Sequence, residues 1–206
     1  VNRAALLDAI GKRAQTHDRF IVALAGPPGA GKSTVASALE ADLASRDFTP
    51  KVIQMDGYHL DNDTLDARGL RARKGAPNTF DAEGFVELIA RLRSATLSVP
   101  YPLFDRARDC VVPDAGVVES AHDLLLVEGN YLLLDAPPWH RLGALFDMTI
   151  MLNPGMATLE QRLVQRWLDH GHTPAQALER ARSNDIPNAE LVLAASREAD
   201  LTLESV

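Results

Sequence analysis

Phe20-Ile21-Val22-Ala23-Leu24-Ala25, followed by Gly26-Pro27-Pro28-Gly29-Ala30-Gly31-Lys32-Ser33-Thr34, decides how this chain reads. The first segment is a continuous apolar run, the pattern of a parallel strand covered on both faces. The segment from Gly26 to Ser33 satisfies G-x-x-x-x-G-K-[ST] in full. Glycines let the backbone turn tightly and bring N–H groups close to phosphates, and the helix that follows aims its positive end at the same anion. In such a loop Lys32 reaches the β- and γ-phosphates and Ser33 offers a hydroxyl to Mg²⁺. Residues 26–34 are therefore the expected nucleotide cradle.

Working outward, Ser33–Ala44 reads as a helix and Val52–Met55 as a second strand ending at Asp56. The stretch Asn62–Asn78 is polar and reads as a loop. Ala82–Arg93 carries Phe85, Leu88, Ile89 and Leu92 at helical spacing. Arg106–Glu119 is expected to form a hairpin turning at Pro113-Asp114-Ala115-Gly116. Leu124–Val127 is a clear buried strand ending at Glu128-Gly129, and Met148–Leu152 is another. Helices are expected at Met156–His170, Pro174–Ser183 and Ala189–Ser196, with a last strand at Leu201–Leu203. Ahead of all this, Val1–Gln15 reads as an amphipathic helix. Strands alternating with helices imply an α/β fold with a central, mainly parallel sheet between helical layers, in one domain over residues 1–206. Ligands then bind beyond the carboxyl ends of the strands.

Composition narrows the function. The net charge is −7, which disfavours nucleic acid or anionic membrane as a partner. No apolar run approaches the ~20 residues a membrane-spanning helix needs, so no membrane insertion is expected. Charges inside the first helix exclude a signal peptide from the expectation, although a chain beginning at Val1 implies a little sequence missing ahead of it. Cys110 is the only cysteine. That rules out an intramolecular disulfide and fits a cytoplasmic location. Its neighbours Val111 and Val112 make it an expected buried thiol.

Strand ends supply the chemistry. Glu128, at the end of its strand, can hold Mg²⁺ through water. Asp56 can accept the proton of an attacking hydroxyl while Lys32 and Mg²⁺ hold the γ-phosphate. Arg162 and Arg166 share one face of the helix 156–170 and can neutralise the transferring phosphoryl group. A GTPase would need Asn-Lys-x-Asp, and no lysine here follows an asparagine. Asp66–Gly69 and Asp81–Gly84 fit D-x-x-G, but neither follows a strand. A module that binds ATP as a regulator without turnover is a further class, and it leaves the polar strand-end residues without a role.

Together these residues resemble the phosphoribulokinase / uridine kinase / bacterial pantothenate kinase family of P-loop kinases. The resemblance runs from about Phe20 to Leu203. It is carried by Gly26–Thr34, Met55-Asp56-Gly57-Tyr58-His59, Arg68-Gly69-Leu70, Arg73-Lys74-Gly75-Ala76-Pro77, Thr79-Phe80-Asp81, Val127-Glu128-Gly129-Asn130-Tyr131, and Asn184-Asp185 with Asn188. It implies ATP and Mg²⁺, a small helical lid over about residues 156–183, Asp56 as general base and an acceptor that is a small molecule. It implies that Tyr58, His59, Arg73, Lys74, Tyr101, Asp105, Arg106 and Asn130 shape the acceptor pocket, and relatives make a homodimer plausible. Pantothenate kinases carry Pro-Val-Tyr-Ser-His where this chain has Pro100-Tyr101-Pro102-Leu103-Phe104-Asp105. Uridine kinases carry a Ser-Phe-Tyr-Lys-like stretch where this chain has Gly57-Tyr58-His59-Leu60. The likeness is greatest to a bacterial subgroup described as fructose transport system kinases, which implies a sugar acceptor such as fructose.

Overall fold

The computed structural model describes residues 3–204. Val1 and Asn2, the expected start of the first helix, lie outside the described residues. That helix, α1, runs Arg3–Ala14. The sheet is built from β1 (Phe20–Ala25), β2 (Pro50–Gln54), β5 (Leu124–Gly129), β6 (Met148–Leu152) and β7 (Leu201–Leu203), all parallel, in the order β2-β5-β1-β6-β7. Side chains alternate across a strand. Ile21 and Ala23 of β1 join Leu125 and Val127 of β5 in one core, while Phe20, Val22 and Leu24 join Leu124 and Leu126 in the other. Both faces are thus buried, which is why these strands are apolar without a polar alternate.

Helices cover both faces. α2 (Lys32–Ala44) packs Leu39 and Leu43 on one side with α1. On the other, α4 (Ala82–Ser94) turns Phe85, Leu88, Ile89 and Leu92 to the sheet. Its N-cap is Asp81, whose carboxylate accepts from the Gly84 N–H at 3.1 Å. Above the carboxyl ends of the strands stand α5 (Met156–Asp169), α6 (Pro174–Arg180) and α7 (Ile186–Ala195).

Four expectations change. The stretch 62–78 contains a short helix, α3 (Asn62–Ala67), capped by Asp61 Oδ1 accepting from Thr64 N at 2.7 Å. Leu65 is its one buried residue, too little to leave a helical period. The hairpin is formed by β3 (Val99–Asp105) and β4 (Cys110–Val118) and turns at residues 106–109, with Asp109 at φ 51°. Pro113–Gly116 lies within β4 instead, and Gly116 faces the Tyr101 ring so closely that a Cβ would sit 2.5 Å from it. Cys110 is exposed, because a two-stranded hairpin has one covered face and Cys110 starts on the other. Finally, α6 does not break before α7. A π turn, Ala181–Asp185, joins them. Pro187 has no N–H for the Ser183 carbonyl, and Arg73 Nη1 donates to that carbonyl at 2.9 Å.

The hairpin lies against the turn 55–58 that carries Asp56. A Cβ on Gly57 would stand 2.1 Å from the Pro102 carbonyl oxygen. Gly57→Ala is expected to destabilise the protein by about 1–3 kcal/mol, the range for overpacking. Thermal unfolding would show it as a fall in Tm of about 2–12 °C for a chain of this size.

Candidate active site

The P-loop leaves the end of β1, the central strand, and turns into α2. Gly29 and Gly31 have φ of 80° and 93°, a region open to glycine at little cost. Gly31 is the N-cap of α2 and no side chain caps it, so the first-turn amides stay available to an anion. Pro28, Gly29, Gly31, Lys32, Ser33 and Thr34 line a cavity of about 710 Å³. Gly26, Pro27 and Ala30 shape the loop from behind. Ala30 is fully buried, and the Pro27 carbonyl accepts from Lys32 Nζ at 3.0 Å.

Lys32 Nζ also donates to Asn130 Oδ1 at 2.7 Å, so the residue after β5 fixes the ammonium over the loop. Burial lowers the Lys32 pKa to about 8, against the pull of Glu128 and Asp56, while Arg166 and Arg106 push it further down. Lys32 is half-buried on the cavity wall, so its ammonium gives up less hydration than an exposed one when a phosphate arrives.

Ser33 Oγ donates to Glu128 Oε2 at 2.9 Å, and Gln54 Nε2 donates to Glu128 Oε1 at 2.7 Å. Glu128 is buried, held between the first turn of α2 and the end of β2. A hydroxyl and a carboxylate converging here are hard oxygen donors that suit Mg²⁺. Among the described residues no group of three or more His, Cys, Asp or Glu could hold a metal. The donor set therefore fits an ion that takes most of its oxygens from nucleotide and water.

Across the cavity, Asp56 Oδ2 accepts from Arg106 Nη2 at 2.6 Å. His59 Nδ1 lies 2.8 Å from the Asp56 carbonyl oxygen, and its ring is wedged between Phe80 and Phe104 at 4.1 and 4.7 Å. Burial lowers the His59 pKa, with Asp56 opposing, so the ring is a neutral wall. Lys74 Nζ donates to Asn62 Oδ1 at 2.8 Å and to Asp109 Oδ1 at 2.7 Å, and stands 5.1 Å from the Phe104 centroid. Burial pushes the Asp109 carboxyl up, but the Lys74 and Asn62 hydrogen bonds outweigh it and hold the pKa below the usual value.

The structure thus gathers Lys32, Ser33, Asp56, His59, Lys74, Arg106, Glu128, Asn130 and Arg166 around one cavity. It places other expected residues elsewhere. Tyr101 is 3% exposed in the core, and its hydroxyl donates to the Val52 carbonyl at 3.3 Å. Asp105 Oδ1 accepts from Ala107 N and Arg108 N at 3.0 Å and so closes the hairpin turn. Tyr58 packs its ring on Phe85 at 5.2 Å, and burial pushes its pKa up to about 12. Arg73 serves the π turn described above. Arg162 Nη1 donates to the Gly29 and Ala30 carbonyls at 3.3 Å, bracing the back of the loop. Of the two arginines, Arg166 is the one that lines the cavity.

The same wall includes residues to which the sequence reading gave no role, among them Gln54, Asp109, Trp167, His170 and Arg180, and also Asn184, Asp185 and Asn188, which carry the family resemblance without an assigned role. Asn184, Asp185 and Asn188 are buried polar residues at the π turn and in the first turn of α7. Asn184 Nδ2 donates to the Lys74 carbonyl at 2.8 Å, and Tyr131 Oη donates to the Gly75 carbonyl at 2.6 Å. The π turn and the residues just after β5 thereby grip the segment 74–75. Asn188 Oδ1 has no hydrogen-bond partner among the described residues.

Comparison with known proteins agrees with this geometry. The model of the phosphoribulokinase / uridine kinase family matches residues 21–206. A crystal structure from Silicibacter sp. TM1040, provisionally assigned as a fructose transport system kinase, superposes with a TM-score of 0.94 at 47% identity, covering 98% of this chain and 99% of that one. The uncharacterized protein YggC of Escherichia coli (strain K12) is 38% identical over 189 residues, 90% of this chain and 78% of its own length. A protein of Schizosaccharomyces pombe provisionally named a uridine kinase is 34% identical over 197 residues, 91% of this chain and 84% of its own. With a phosphate loop and a carboxylate facing one another at the carboxyl ends of a parallel sheet, and these matches across nearly its whole length, the chain belongs to the phosphoribulokinase / uridine kinase family and is a P-loop phosphotransferase acting on hydroxyl groups.

Proposed function

We propose that the protein transfers the γ-phosphoryl group of Mg-ATP to a hydroxyl of a neutral polyol, with fructose as the first acceptor to test. One observation carries this reading: the Asp56 carboxylate opens into the same cavity as Lys32 and the P-loop. Asp56 takes the proton as the acceptor oxygen bonds to phosphorus and the bond to the β-phosphate oxygen breaks. Arg106, whose side chain is 72% exposed, is free to swing off Asp56 as the acceptor enters. Lys32 and the loop amides hold the phosphates. Ser33 and Glu128 would hold Mg²⁺, which when bound neutralises charge on the phosphate oxygens. Arg166 meets the charge on the transferring group.

Charge balance favours an uncharged acceptor. Among the described residues, the cavity is lined by six Lys or Arg side chains (Lys32, Arg71, Lys74, Arg106, Arg166, Arg180) and four Asp or Glu side chains (Asp56, Asp109, Glu128, Asp185). The excess of two positive charges is matched by the residual negative charge of a magnesium–ATP complex. Nothing is left over to compensate an acceptor carboxylate or phosphate. The Silicibacter relative supports fructose within the polyols.

The test is a screen of ATP consumption with mass detection of the product, across fructose, other neutral sugars, pantothenate and uridine. A phosphorylated neutral sugar formed with the highest kcat/KM is the expected result, and preference for pantothenate would refute the neutral acceptor. In the same assay Arg162→Ala is expected to raise KM for ATP several-fold more than it lowers kcat. A brace of the loop acts on ground state and transition state alike.

A further inference from the structure

Asp185 is 7% exposed, and a buried carboxylate persists only where its charge is paired and hydrogen-bonded. Both of its oxygens are engaged, and both partners come from α5. Oδ1 pairs with Arg166 Nη2 at 2.9 Å, and Oδ2 accepts from Trp167 Nε1 at 2.6 Å. Arg166 and Trp167 are consecutive, and consecutive positions on a helix point about 100° apart. A single carboxylate holding both therefore fixes the rotation of α5 as well as two rotamers. The Trp167 indole supplies a second surface, with the Arg166 guanidinium 5.4 Å from its ring centroid and that of Arg180 at 5.2 Å.

The backbone is shaped for this contact. Asp185 is the last residue of the π turn between α6 and α7. The wider turn shifts its side chain around the axis relative to a regular α-helix, and such π turns recur at functional sites. We propose that Asp185, with Trp167 as its second anchor, is the positioning residue that aims Arg166 into the cavity, an inference that rests on the phosphoryl-transfer reading above. Arg166 is the group that meets the transferring phosphoryl, and Asp185 acts through it. A guanidinium held before the nucleotide arrives does not have to be ordered during the reaction.

A double-mutant cycle on the full chain tests this, reading kcat and KM for ATP and for the acceptor. Arg166→Ala is expected to lower kcat by about 10²–10³-fold. Asp185→Asn keeps shape and an acceptor for the indole but loses the charge, and is expected to lower kcat by about 10–100-fold, with both KM values within about twofold. Introduced into Arg166→Ala, it should cost less than about twofold more. An equal loss in both backgrounds, or a large rise in KM for the acceptor, would overturn the positioning role while leaving Arg166 in place. An Arg166→Ala protein with unchanged kcat would remove Arg166 from the mechanism, and this inference with it. If Asp185→Asn fails to fold, Trp167→Phe serves. It removes the indole N–H that Asp185 accepts, along with part of the ring surface beside Arg166 and Arg180, and is expected to lower kcat by about 3–10-fold in the parent and not in Arg166→Ala, and equal losses would again overturn the proposal.

Discussion

Lys32→Ala is expected to lower kcat/KM for ATP by about 10³–10⁵-fold, the range associated with a cation that meets the transferring phosphoryl group. The geometry explains why so much rests on one side chain. The ammonium is held at two points, Pro27 O and Asn130 Oδ1, and both hold it above the loop whose amides face the phosphates. It is half-buried on the wall of the cavity, where a charge interacts more strongly than it does in water. The fold should survive, because the helix that Lys32 opens is anchored by Val35, Ala36, Leu39 and Leu43. Steady-state kinetics with a thermal melt as control would check this. Near-normal turnover in a folded variant would remove the P-loop lysine from the mechanism.

Asp56→Asn is expected to lower kcat by about 10²–10⁴-fold, the range for a general base, while ATP affinity stays within a few-fold. Asparagine keeps the size and can still accept from Arg106, so the wall of the cavity persists. What it cannot do is take the proton of an incoming hydroxyl. ATP affinity should persist because the contacts to the phosphates come from Lys32, Ser33 and the loop, on the opposite side of the cavity. Equilibrium titration of ATP alongside kcat separates the two. A proportional loss of ATP binding would mean that Asp56 serves the nucleotide and not the acceptor.

Much of this was legible in the sequence wherever function depends on neighbours in the chain. The strand-turn-helix from Phe20 to Ala44 is local, so motif and structure coincide. Leu124–Val127 read as a buried strand because both of its faces are covered, and Glu128 followed at its end. Residues placed by distant packing were less readable. Tyr101 and Arg106 belong to one hairpin, but a turn at 106–109 instead of 113–116 sends Tyr101 into the core and Arg106 to Asp56. Arg162 and Arg166 share a helix face, and spacing could not say which of them meets the loop from behind. That depends on how Leu163 packs against Gly29, where a Cβ would come within 3.2 Å.

The π turn was hidden for a different reason. Two separate helices are expected from the sequence, Pro174–Ser183 and Ala189–Ser196, with a break between them. The break is bridged because the Ser183 carbonyl finds Arg73 in place of an N–H. Asn184, in the π turn, holds the segment that carries Lys74 by donating to the Lys74 carbonyl. No period or motif reports such a contact, since its partner lies about a hundred residues away in the chain.

The most direct test of the central claim is to incubate the protein with Mg-ATP and fructose and follow both ADP and the sugar by mass. The same reaction would be run with the Asp56→Asn variant. The expected result is a fructose product heavier by one phosphoryl group, formed in step with ADP and nearly absent from the variant. Equal product from both proteins, or ADP formed without any phosphorylated sugar, would contradict the account.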